Sequence, residues 1–96
     1  MRESEIEKHL VKRVKELGGE VRKVKWVGRR GAPDRLVMLP LVKGIRFWLP
    51  MTIWVELKAT GEVAKPHQLR EHKRMQAMGQ RVEVIDSIKG VDALLA

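Results

Sequence analysis

Apolar residues recur at spacings of three and four over residues 3 to 17. Ile6, Leu10, Val14 and Leu17 fall in line and Val11 widens the arc, as in a helix with one core-facing stripe. Gly18-Gly19 supplies the C-terminal stop. Val21, Val24 and Val27, with Trp26, suggest a first strand running among the bases Arg22, Lys23 and Lys25. Residues 28 to 33 read as a glycine-rich loop. Arg35 to Leu39 is a short apolar strand closed by Pro40, and Ile53 to Leu57 is another, rich in Ile, Trp and Val. The stretch from Leu41 to Thr52 is too apolar for an ordinary loop and predicts a hairpin extension or a protrusion. Pro66 suits the first turn of a helix running to Met78. Val82 to Ile85 predicts a last strand and Val91 to Leu95 a short terminal helix. The core order α-β-β-β-α-β predicts an α/β (α+β) fold, a mixed sheet flanked by helices, in one domain over residues 1–96.

Several polar residues sit against this pattern. On a wheel of helix 3–17, Glu3 and Glu7 fall inside the apolar arc, whereas Glu5 and Glu16 fall opposite it. A core-facing carboxylate is costly unless it meets a cation or metal; for Glu3, the first-turn preference for acids is explanation enough. In helix 66–78, Gln68, His72 and Met75 share one line and look toward the sheet, while Arg70, Lys73 and Arg74 occupy the opposite face. Strand alternation gives Glu56 and Lys58 one face, leaving Val55 and Leu57 to the core. An ordinary half-exposed strand with a paired Glu and Lys would look the same. Asp34, which follows Gly31-Ala32-Pro33 at the mouth of a neighbouring strand, changes that balance. Asp34 and Glu56 are placed to converge on one cation with Lys58 beside it.

That constellation suits phosphodiester hydrolysis. Mg²⁺ binds oxygen ligands through one or two carboxylates plus phosphate and water. Such an ion polarises a phosphoryl oxygen and lowers the pKa of bound water, and an ammonium group orients the nucleophile or stabilises developing charge. Glu7 is a further ligand in this reading, and Gln68 orients Lys58 or a phosphate. The charge balance agrees: 20 Lys and Arg against 12 Asp and Glu give a formal net charge of +8, which attracts polyanions. With no cysteine, disulfides and thiolate metal sites are excluded. With neither an apolar signal core nor a run long enough to span a bilayer, the expected location is intracellular.

The motifs Gly31-Ala32-Pro33-Asp34 and Glu56-Leu57-Lys58 resemble the paired elements of the PD-(D/E)XK nucleases. Within that superfamily the chain is similar to stand-alone VRR-NUC domains. The resemblance extends through Ile6-Glu7-x-x-Leu10-Val11, Gly18-Gly19, Lys23, Gln68-x-x-x-His72 and Val84-Ile85-Asp86-Ser87, in the family's order and over nearly the whole chain. It implies a restriction-endonuclease-like fold, Mg²⁺ or Mn²⁺ as cofactor, and a catalytic set of Asp34, Glu56, Lys58, Glu7 and Gln68. Asp34, Glu56, Leu57 and Glu7 form the expected metal set. The long apolar stretch from Leu41 to Thr52 departs from the tight glycine turn expected of such domains.

The function expected from this is a metal-dependent, structure-specific DNA endonuclease cutting four-way (Holliday) junctions as a homodimer. A small domain carries one site, and resolving a junction needs two symmetric cuts. Phe47, Trp48, Leu49 and Met51 form an apolar cluster suited to an isologous interface, or to core packing. No zinc finger, zipper or recognition helix is evident, so recognition is expected through shape and phosphate. The expected contacts are Lys23, Arg29, Arg30, Arg35, Lys65, Arg70, His72, Lys73 and Arg74, with the Arg29-Arg30 pair foremost because it adjoins Asp34. Two alternatives remain open: a flap or nicking endonuclease with the same site, and a non-catalytic basic DNA-binding protein.

Overall fold

The computed structural model describes residues 1–40 and 52–96. Helix α1 spans Glu3–Glu16, and strands β1, β2 and β3 span Glu20–Lys23, Arg35–Met38 and Thr52–Leu57. Helix α2 (Pro66–Ala77), strand β4 (Val82–Ile85) and helix α3 (Ile88–Leu95) complete the described chain. The four strands form one mixed sheet in the order β1-β2-β3-β4, antiparallel at the first two pairings and parallel between β3 and β4. The α+β class and element order expected from the sequence are therefore present. The apolar cluster at 47–51 lies outside the described residues.

The core lies on one face of the sheet. Ile6, Leu10 and Val14 of α1 pack with Val37, Ile53, Val55, Leu57 and Ile85 of the strands and with Val91, Leu94 and Leu95 of α3. Asp92 ties the two helices together by accepting from Arg13 and bonding His9 at 2.7 Å. The stripe on α1 is narrower than its sequence suggests: Val11 and Leu17 are 43% and 40% exposed. The terminal helix is longer than expected, because the Ser87 hydroxyl caps it by accepting from the Gly90 N–H at 2.9 Å.

The first strand is shorter than predicted. Its ladder ends with the Val24 N–H donating to the Asp34 carbonyl at 3.0 Å, and Trp26 and Val27 belong to the loop beyond. The reason is visible in the spacing: valines at 21, 24 and 27 recur every third residue, out of step with the two-residue period of a strand. Helix α2 covers the opposite face of the sheet from α1 and α3, over Val82 and the side chains of β3 that alternate with the core.

Leu10 is fully buried whereas Val11 is its half-exposed neighbour. Leu10→Ala is expected to lower stability by about 2–5 kcal/mol, and Val11→Ala by no more than about 0.5 kcal/mol. Urea unfolding checks both, as midpoints that move at constant slope.

Candidate active site

Residues Arg35 and Val55 face each other across the β2–β3 ladder. The same register carried one residue outward sets Asp34 opposite Glu56. Alternation then gives both side chains the α2 face, since Val55 and Leu57 are committed to the core on the other. The Leu57 N–H donates to Asp34 Oδ1 at 3.0 Å, which holds this carboxylate at the end of β3. Glu56 is only 3% exposed and Lys58 only 9%. This is no half-exposed strand: α2 seals the face.

Gln68 organises the interior of that seal. Its Oε1 accepts from the Lys65 main-chain N–H at 2.8 Å, capping α2 next to Pro66. The same oxygen accepts from Lys58 Nζ at 3.0 Å, and Gln68 Nε2 donates to Glu56 Oε2 at 3.3 Å. The start of the helix and the posture of the lysine are therefore set by one side chain. Lys58 Nζ lies 3.7 Å from Glu56 Oε2. On the other side, His72 Nε2 stands 3.8 Å from Glu56 Oε1, and neither atom has a hydrogen-bond partner among the described residues.

The electrostatics follow from this crowding. Burial first, and the neighbouring Asp34 second, push the Glu56 carboxyl up to about 7 against the pull of Lys58. Burial also raises Asp34, partly offset by the N–H of Leu57. Burial lowers His72, which favours the neutral ring. Two carboxylates facing one another in a desolvated recess are poorly disposed toward both being charged alone. Like-charge repulsion and an unsatisfied buried oxygen are both relieved by a cation, and oxygen donors suit Mg²⁺ or Mn²⁺. Among the described residues, no group of three or more His, Asp or Glu side chains is clustered closely enough to hold a metal. The set that fits is therefore two carboxylates with main-chain oxygen, substrate and water supplying the remainder.

Several expected residues are placed elsewhere. Glu7 is ion-paired to Arg35. The partner lies on the α1 face because Arg35 shares its strand face with Val37. Glu7 thus answers the core-facing carboxylate problem with a guanidinium, and Arg35, its side chain 14% exposed, is spent on that pair. His72 is 4% exposed and turned to Glu56, so it does not present itself to a phosphate. Arg29 donates to Glu71 Oε1 at 2.6 Å, and Arg74 approaches the same oxygen at 3.5 Å. Lys23, Arg30, Lys65, Arg70 and Lys73 are exposed and have no carboxylate partner among the described residues.

Two residues escaped the sequence reading. Glu71 is 5% exposed and accepts from Trp26 Nε1 at 2.7 Å as well as from Arg29. Burial alone would raise its pKa, but the two donors prevail and hold it below the ordinary range. Its signal in the sequence was an acid set among Arg70, Lys73 and Arg74 beside the inward line of α2. Gly31, at φ +95°, lies so close to α2 that a Cβ there would meet the His67 carbonyl oxygen at 2.7 Å and Glu71 Cβ at 2.8 Å. His67, the other omission, marks a focus of positive charge. Desolvation first, and then Arg30, Lys65, Arg70 and Lys58, lower its pKa.

The order of strands, the helices on both faces and the recess at the ends of β2 and β3 define the class, a restriction-endonuclease-like α+β fold. Comparison with known proteins narrows it. No family model matches the chain. A phage protein named "Putative nuclease p44", from Acyrthosiphon pisum secondary endosymbiont phage 1, is 51% identical over 87 residues, covering 91% of this chain and 85% of that protein. A solved structure described as a VRR_NUC domain superposes with a TM-score of 0.80 at 41% identity, covering 97% of this chain and 92% of that one. The chain belongs to the VRR_NUC family of nucleases.

Because the folded state holds Glu71 below its ordinary value of 4.5, its bonds stabilise the fold above that value and fade as the pH falls through the depressed one. Glu71→Gln is therefore expected to melt below wild type at neutral pH, with the gap shrinking as the pH drops beneath 4.5. Thermal unfolding of both proteins across pH 3 to 7, about the span over which a carboxylate titrates, checks the sign.

Proposed function

We propose that this protein is a metal-dependent, structure-specific DNA endonuclease, with Asp34 and Glu56 holding Mg²⁺ or Mn²⁺ and Lys58 acting beside them. The observation that carries this reading is the recess itself. Two carboxylates are forced together by strand register, one of their oxygens is buried without a partner, and an ammonium is fixed beside them by Gln68. When bound, the metal supplies Lewis-acid polarisation of the scissile phosphate and an acidified water. The chain's own residues do the rest. Gln68 keeps Lys58 Nζ at the edge of the carboxylate pair, where its charge and N–H donors meet phosphate oxygens or the attacking water. The Leu57 N–H fixes one Asp34 oxygen at the end of β3. The Leu57 carbonyl is the main-chain donor assigned to the metal set.

In this reading Glu7 acts through Arg35, by holding its charge next to the carboxylate pair. Burial lowers the pKa of Arg35, opposed by Glu3 and then by Glu56, so both lie within electrostatic reach of it. Substrate binding is assigned to Arg30, Lys65 and Arg70, which converge near His67 and Lys58, together with the exposed Lys73 of α2 and Lys23 of β1. A four-way junction is the preferred substrate and a homodimer the active form, because one chain provides one recess and symmetric resolution takes two. An intracellular location follows from a DNA substrate. No helix among the described residues is long and apolar enough to cross a membrane.

The test is cleavage of labelled four-way junction, 5′ flap and linear duplex with Mg²⁺, Mn²⁺ or chelator. Wild type is expected to make paired symmetric cuts in the junction, abolished by chelator. Asp34→Asn and Lys58→Met are each expected to lower the rate by about 10²-fold or more while leaving binding in place. Preference for flaps would discard junction resolution. Tight binding indifferent to metal and to Asp34→Asn would make the protein a non-catalytic binder. Binding should also weaken steeply with salt, and Lys73→Ala should flatten the log–log slope by about one.

A further inference from the structure

The loop between β1 and β2 carries the most exposed apolar side chain described, Val27, at 99%. A lone exposed valine is ordinary; the way this one is mounted is not. Trp26 and Arg29 flank Val27-Gly28, and they donate to the two oxygens of one carboxylate, Trp26 Nε1 to Glu71 Oε2 at 2.7 Å and Arg29 to Glu71 Oε1 at 2.6 Å. Trp26 also packs on Trp54 of β3 at 5.6 Å between ring centroids. Gly28 turns the chain at φ +80°, and Gly31 docks against α2. The two-residue tip is thus clamped at both sides onto a buried acid, and Val27 projects from it into solvent.

We propose that this loop is a rigid probe for branched DNA, with Val27 pressed against an unstacked base step where the duplex is interrupted. The proposal rests on the nuclease reading above and deepens it by naming what selects the substrate. Three features support it. Valine is stiff about χ1, so holding it in one posture costs little entropy on binding. Lys25 and Arg30, both exposed, flank the tip with the charge needed to seat it among phosphates. The loop runs directly into Asp34, so a contact at Val27 is linked to the recess by the six intervening residues, which are anchored to α2 at Arg29 and Gly31. Apolar wedges gain most where stacking is already broken, at a branch rather than within an intact duplex.

The experiment uses a four-way junction carrying 2-aminopurine at the branch, and a linear duplex of the same sequence, titrated in chelator so that neither is cut. Wild type is expected to brighten the branch probe and to bind the junction more tightly than the duplex. Val27→Ala should abolish the brightening and weaken junction binding by about tenfold, whereas Val27→Leu should retain both. An unchanged melting temperature for Val27→Ala would show that the loss is one of contact. Junction preference and brightening that survive Val27→Ala would overturn the proposal, as would equal losses in Val27→Ala and Val27→Leu. Cleavage with Mg²⁺ or Mn²⁺ is scored separately. A wild type that brightens the branch but never cuts would defeat the nuclease reading and leave the probe standing.

Discussion

Everything at this site depends on the register between β2 and β3. With Arg35 opposite Val55, the odd positions of both strands go to the α1 face and the even ones to α2. A shift of one residue would send Glu56 and Lys58 into the apolar core and bring Val55 out. The core fixes that register, because Val37, Ile53, Val55 and Leu57 must all turn toward α1 and α3 at once. The hydrophobic pattern therefore sets the chemistry as well as the fold. It compels two carboxylates to share a recess whose burial raises the pKa of each, with Asp34 adding to the rise at Glu56.

A third carboxylate, Glu71, has the opposite electrostatic character and ties the β1–β2 loop to α2. Glu56 is buried with an oxygen unpartnered, and Glu71 is buried with both oxygens bonded. The two differ by what α2 places around them. The outward neighbours of Glu71 are arginines and the indole of Trp26; Glu56 faces Gln68 and a neutral His72. One helix thus supplies a satisfied acid that locks the loop and shields one with an unsatisfied oxygen. The unsatisfied group destabilises the fold, and the clamp through Glu71 and the pairing of Glu7 with Arg35 offset that cost nearby.

Much of this was legible in the sequence because it rests on periodicity. The alternation at residues 55–58, the inward line of Gln68 and His72, and the break at Gly18-Gly19 follow from helix and strand geometry, and the structure keeps them. What escaped depends on pairing across the chain. Glu7 stands out in the sequence as a carboxylate inside the apolar arc, whereas its ion pair with Arg35 joins two elements and cannot be read from helix spacing. The bond from Arg29 to Glu71 likewise joins distant parts of the chain. Val27 was assigned to a strand because a valine-rich run looks extended, whereas its neighbours are drawn off the ladder by Glu71, forty-odd residues away.

The fate of the bases shows how the fold, rather than composition, shapes the nucleic-acid surface. A formal charge of +8 says only that anions are attracted. Arg13, Arg29, Arg35 and Arg74 are engaged by Asp92, Glu71 and Glu7, and act as internal ties. The cations around His67 are Arg30 of the loop before β2, Lys65 ahead of α2 and Arg70 on that helix, with Lys58 beside them. A phosphate drawn to them is brought to the rim of the recess, with Gln68 and the capped start of α2 between rim and carboxylates. Gln68 therefore sits where binding and chemistry meet. It caps the start of the helix that carries Arg70 and Lys73, holds the lysine and touches Glu56, so a displacement of the helix start would be felt at all three.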